Sequence, residues 1–161
     1  MKILDTGTRR EFATGAVRDS NEGRGRCDLL PLDVIAHITD DDILPWLNIY
    51  VTEGKIFALK EAVRIFVRNY MGCLETALLE VSKHFEDGAK KYDERNWQKG
   101  IPLHCYIDSA VRHYLKYRRG DRDEPHDRAF LWNILCAIWT HLNKPEMIDL
   151  PFADKEKNKC E

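Results

Sequence analysis

Residues 88–133 read GAKKYDERNWQKGIPLHCYIDSAVRHYLKYRRGDRDEPHDRAFLWN. Within this stretch Leu103, Ile107, Ala110 and Tyr114 recur at three- and four-residue steps. That period predicts a helix over 103–119, stopped by Gly120. Residues 121–125 form a turn with cap character, and a second helix is expected over 126–143, ended by Pro145. Upstream, Leu59, Val63, Phe66, Tyr70, Leu74, Leu78, Val81 and Phe85 continue the same period over 55–87. Gly72 marks a break in it, Gly88 is read as its stop, and residues 89–102 as a polar loop. Residues 33–38, DVIAHI, suit one or two helical turns. Thr39 or Asp40 is a candidate cap for the short helix that follows. No period-two alternation, internal repeat or low-complexity tract is seen. The class is all-α, with a polar Gly- and Arg-rich arm over 1–28 read as ordered loop.

A length of 161 residues suits one domain, expected over 1–153 with a frayed tail at 154–161. Hydrophobic residues make up 43% and charged residues 32%, with a net charge of −2 and a pI near 6.3. That balance argues against a nucleic-acid polymer as partner. The opening MKILDTGTRREF carries no apolar leader segment, and no run has the length of a membrane span. The expected place is the cytoplasm, that of the host if a phage encodes the chain. Cys27, Cys73, Cys105, Cys136 and Cys160 are odd in number and never spaced CxxC. They read as free thiols, the middle ones buried.

Over 74–87, the stripe Leu74, Leu78, Val81 and Phe85 is read as facing the core. Glu80, His84 and Asp87 share a flank at i, i+4 and i+7, a spacing at which carboxylate and imidazole can share a divalent cation. The same spacing also describes a solvated polar face. Asp108 and Arg112 share one side of the next helix, as a functional pair or a plain ion pair. His113 lies on the other flank. The last helix is apolar nearly all round, so it is expected to be buried. Yet His126, Asn133 and Thr140 fall on one stripe with Ala129 and Ala137, and buried polar groups need partners or a ligand. Asp123, before Pro125, is a candidate cap. Arg18, Arg24 and Arg26 sit in a Gly-punctuated segment suited to embracing phosphate. Lys90 and Lys91 add charge, and Trp97, after Asn96, could stack on a base.

The strings FATGAVRDSNEGRGRCDLLP, GAKKYDERNWQKG, DSAVRHYLKY and HDRAFLWNILCAIW resemble the phage and bacterial dATP/dGTP diphosphohydrolase family. That family is similar to the MazG-like all-α nucleoside triphosphate pyrophosphohydrolases. The resemblance covers roughly residues 8–35 and 75–142, which makes 37–70 look like an insertion suited to an oligomer contact. It implies a helical bundle, a homo-oligomer, and cleavage of a purine deoxynucleoside triphosphate to monophosphate and pyrophosphate. It also implies a divalent metal, Mg²⁺ or else Mn²⁺ or Co²⁺. MazG-like enzymes hold metal in an ExxE pattern with a later ExxD, which this chain lacks. The expected metal set is Glu80, His84, Asp87 and Asp108. Lys90, Arg112 and the arm's arginines would stabilise the leaving pyrophosphate, with His113 as proton carrier. Arg18, Arg24, Arg26, Lys91, Asn96, Trp97, His126 and Asn133 would hold substrate. The alternative is a non-catalytic helical module that sequesters nucleotide. The His126-Asp127 dipeptide raises an HD-type phosphohydrolase, but Asp127 sits about 100° around the helix from His126.

Overall fold

The computed structural model describes residues 7–157. Strands β1 (Arg9–Glu11) and β2 (Val17–Asp19) form an antiparallel hairpin. Helices follow as α1 (Leu32–Thr39), α2 (Leu44–Glu53), α3 (Ile56–Phe66), α4 (Leu74–Lys91), α5 (Leu103–Arg119), α6 (His126–Asn143) and α7 (Pro151–Lys157). The fold is all-α with one small hairpin, and α5 and α6 have the bounds the sequence predicts.

The loop between α5 and α6 is short, so the two helices lie antiparallel. His113 meets His126 beside the loop, and Tyr106 meets Trp132 further along. α4 and α3 pack on α6, and α2 packs on α3. Phe66 is fully buried at the centre, 4.5 Å from Phe130 and 5.5 Å from Tyr117 by ring centroid. Burying a side chain of that size contributes about 1.5–3 kcal/mol.

Several local expectations change. The helical period over 55–87 belongs to two helices. A π-turn at Val67–Met71 and Gly72, at φ 83°, separate them. Gly88 is not a stop, because α4 runs on to Lys91. The inward face of α4 is Ala77, Val81 and His84, while Leu74 and Leu78 are about half exposed at 52% and 48%. The cap of α2 is neither Thr39 nor Asp40 but Asp41. Its Oδ1 accepts from the backbone N–H of Ile43 and Leu44, both at 2.8 Å. Its Oδ2 accepts from the Tyr114 hydroxyl at 2.6 Å, tying α2 to α5. Residues 154–157 continue α7 rather than fray, and 158–161, with Cys160, lie outside the described residues. Cys105 and Cys136 are buried free thiols, as expected, but Cys73, also expected to be buried, is exposed.

The hairpin was not expected, and its strands explain why. Three residues each are too few to show alternation, and none of the six is buried. What holds it is remote. Asn96 accepts from the Val17 N–H and donates to the Val17 carbonyl, both at 2.8 Å. Thr14 donates to the Gly100 carbonyl at 2.5 Å. A Cβ at Gly100 would sit 3.1 Å from the Thr14 methyl, and its φ of 117° suits glycine alone.

The start of α5 is capped from the far end of the chain. Asp149 accepts from the His104 N–H at 3.0 Å and also bonds the His104 ring. Hydrogen bonds to Asp149 and then Cys105 raise the His104 imidazole from 6.5 to about 10. A raised folded value means the pair's stabilisation is complete below pH 6.5 and is lost as pH rises through about 10. Thermal midpoints should therefore fall between pH 7 and 10 in the wild type, and fall less in Asp149→Asn, which keeps a cap acceptor without the charge. Parallel curves for the two proteins would refute this.

Candidate functional site

One carboxylate ties the segment after β2 to α5. Asp108 is fully buried and accepts from Asn21 Nδ2 at 2.6 Å, the Cys27 N–H at 2.7 Å and Arg112 Nη2 at 2.5 Å. Arg112 also donates to the Gly25 carbonyl at 3.0 Å. These bonds lay the segment after β2 across α5 and place Arg18 over the α5–α6 seam.

A cleft of about 290 Å³ opens there, between the arm, α4, α5, the α5–α6 loop and α6. Arg18, Arg24, Arg112 and Lys116 bring positive charge to its wall, and Asp19 and Glu124 bring negative. Trp132, Tyr92, His84, His113, Asn96, Ser109 and Asn133 complete most of the lining. Arg18 Nη2 donates to Asn133 Oδ1 at 2.9 Å and Ser109 Oγ at 3.1 Å. Its guanidinium lies 5.1 Å from the Tyr106 ring and 5.8 Å from the Trp132 ring. Asn133 is fixed in turn by donating to the Ala129 carbonyl at 2.7 Å.

Four buried side-chain atoms among the described residues lack a hydrogen-bond partner: Arg18 Nη1, His84 Nδ1, Arg112 Nε and Thr140 Oγ1. The first three belong to residues lining this one cleft. Buried polar groups are normally satisfied, so such a concentration makes this cleft the candidate site. An anion with several oxygens suits two guanidinium nitrogens and an imidazole.

Sequence-predicted residues fall in three places. Arg18, Arg24, His84, Asn96, Arg112, His113 and Asn133 line the cleft. His126 lies just behind it, buried against His113. Lys91 stands close by, bonded to Asp19 at 2.7 Å. Lys90 is exposed and paired with Glu86, and Arg26 is exposed and paired with Asp28. Trp97 does not line the cleft, since its ring packs edge-on against Phe85 and Trp139. The aromatic wall is Trp132 instead. Asn96 spends both amide atoms on the hairpin.

Glu80, His84, Asp87 and Asp108 are not brought together. Glu80 bonds Arg128 at 2.5 Å and also pairs with Lys83. Asp108 is taken up by the arm. Among the described residues, two other groups place three ligating atoms within 4.8 Å of one another and could hold a metal ion: His113, Glu124 and His126, and Asp121, Asp123 and His126. Sequence reading passed over Glu124. Its signal is position, immediately before Pro125-His126 and facing a helix that carries His113. Asp123, expected as a cap, instead accepts from His126 Nε2 at 2.7 Å.

The protein is all-α, with a cleft rich in hydrogen-bond donors and positive charge. A family model described as dATP/dGTP diphosphohydrolase, N-terminal, matches residues 68–150, just over half of the chain. The chain belongs to that family. The matched span holds α4, α5 and α6 but not the hairpin that delivers Arg18. No curated protein and no solved structure matches the chain. Among the described residues no helix is long and apolar enough to cross a membrane.

Two outcomes follow from this geometry. Removing Asp108 strands a buried guanidinium, so Asp108→Ala should lower stability by about 3–5 kcal/mol in urea denaturation. It should also abolish hydrogen-exchange protection at Cys27. Burial, helped by Arg128, Arg18 and Lys91, depresses the His84 imidazole from 6.5 to about 4. The folded state therefore loses stability as pH falls from 6.5 towards 4, where only the unfolded chain takes up that proton. Pyrophosphate in the cleft should move the His84 value upward in an NMR titration. An unmoved value would place the anion elsewhere.

Proposed function

We propose that the cleft hydrolyses a purine deoxynucleoside triphosphate, dGTP or dATP, to the monophosphate and pyrophosphate. The observation that carries this is that Arg18, Arg112 and His84, each with a buried nitrogen lacking a partner, all line one cleft. The family description supports the substrate class. In the reaction, water forms a bond to the α-phosphorus and the bridging α–β P–O bond breaks. The electron pair leaves with pyrophosphate.

Arg18 and Arg112 donate to phosphate oxygens from fixed positions, because Asn133, Ser109 and Asp108 already hold their other nitrogens. Donors held in advance lower the barrier most where charge develops. Arg24 carries the outer phosphates at the cleft's rim. His84 stays neutral at pH 7, so it can donate to or accept from the nucleotide without adding charge. Trp132 offers a ring face for the purine. A bound divalent ion supplies charge neutralisation and a more acidic water. Among the described groups that could hold it, His113 and Glu124 line the cleft and His126 stands behind them. Exposed apolar side chains Leu74, Leu78 and Leu79 on α4 support a homo-oligomer.

Product analysis tests the reading. The purified chain should convert dGTP or dATP to monophosphate plus pyrophosphate with a divalent ion, tried in turn as Mg²⁺, Mn²⁺ and Co²⁺, and not without metal. Arg18→Lys should lower turnover by roughly 10²–10³-fold, as loss of one fixed donor does, with little change in melting temperature. Orthophosphate or triphosphate as product would refute the reaction. Tight nucleotide binding with no turnover under any metal would favour a sequestering module.

A further inference from the structure

We infer that His113, Glu124 and His126 form a three-ligand site for a borderline transition ion of the zinc or cobalt class, with Asp123 as its outer-shell anchor. Their ligand atoms form a near-regular triangle. His113 Nδ1 and His126 Nδ1 are 3.0 Å apart, and each lies 3.6 or 3.7 Å from Glu124 Oε1. Ligands about 2.0–2.1 Å from a tetrahedral ion stand about 3.3 Å from one another. The triangle brackets that value.

The tautomers agree with it. His126 Nε2 faces the Asp123 carboxylate at 2.7 Å and donates to it, so in the neutral ring Nδ1 is the nitrogen with the lone pair. A ligating imidazole anchored through its other nitrogen by a carboxylate is the usual second-shell arrangement. Without an ion, the two facing Nδ1 atoms need a proton between them, since one must donate. An ion removes that requirement, and both imidazoles then act as lone-pair donors.

The elements place the three ligands rigidly. His113 projects from α5, His126 is the first residue of α6, and Glu124 sits on the short loop joining them. His126 is almost fully buried, at 1% side-chain exposure, and Glu124 is at 11%. His113 and Glu124 both line the cleft, so an ion held there would have its open position towards that space. Three protein ligands and one open position are the pattern of catalytic rather than structural zinc sites. The alternative cluster of Asp121, Asp123 and His126 would use His126 Nε2. Arg119 already neutralises Asp121, and Lys116 neutralises Asp123.

Two imidazole nitrogens decide the ion's class. Mg²⁺ favours oxygen ligands and keeps its waters, whereas Zn²⁺ and Co²⁺ accept imidazole readily. The inference deepens the proposed hydrolysis by naming its metal site. It is tested without nucleotide, so failure of one leaves the other standing.

The full chain, stripped with chelator, is titrated with Co²⁺ and followed by visible absorption and X-ray absorption. We expect one Co²⁺ per chain, with visible bands and nitrogen in the first coordination shell. Glu124→Gln and His113→Gln, both at partly exposed positions, should abolish the bands while circular dichroism stays helical. Asp123→Asn should weaken binding by about 10–100-fold. Glu80→Gln should leave binding unchanged. A tenfold excess of Mg²⁺ should not displace the cobalt. Absence of cobalt binding overturns the site. So does equal binding by Glu124→Gln and His113→Gln, or displacement by Mg²⁺.

Discussion

Asp108 is the interaction on which the rest of the site depends. A carboxylate taken wholly out of water is unfavourable unless every lone pair is met. Here it is met by a side-chain amide, a backbone N–H and a guanidinium from two parts of the chain. Those partners can reach it only if the arm lies across α5. The arm in turn places β2 against Asn96, and β2 carries Arg18 into the cleft. The lie of the segment after β2 across α5 is thus tied to satisfying one buried charge.

The same logic runs the other way within the cleft. The fold satisfies part of each functional cation and leaves part unmet. Arg18 has one nitrogen fixed by Asn133 and Ser109 and another with no partner. Arg112 has one nitrogen on Asp108 and its Nε unmet. Partial satisfaction fixes the direction of a donor without using it up. Donors held in advance need little reorganisation, the condition under which such groups act most strongly. His84 belongs to the same design. Its burial keeps it uncharged, and the cations around it give it a neighbour relation that an anion would change.

Much of this was legible in the sequence. The 3.6-residue period gave the bounds of α5 and α6, because both helices are long and their ends carry glycine or proline. The polar stripe His126, Asn133 and Thr140 on an otherwise apolar helix signalled a buried network, and all three are buried. Arg18, Arg24, Arg112 and Asn133 were singled out and do line the cleft. The hairpin was hidden because its strands are short and its bonds come from Asn96, Thr14 and Gly100. Trp97 and Trp132 could not be told apart, since both precede or follow polar residues of similar kind. Only packing turns one ring towards Trp139 and leaves the other on the cleft.

Local pattern therefore determined where helices begin and end, which faces are apolar, and which side chains are chemically unusual. These properties depend on residues within a turn or two of one another. Tertiary structure decided which unusual residues meet. Glu80, His84 and Asp87 share a helix flank, yet Glu80 turns to Arg128 while His84 turns inward. His113, Glu124 and His126 come from a helix, a loop and a second helix, and they converge because the α5–α6 loop is short and the helices pack antiparallel. Spacing along one helix sets only which residues share a flank. The distance between flanks of different helices is set by the packed core, and no single segment of sequence contains it.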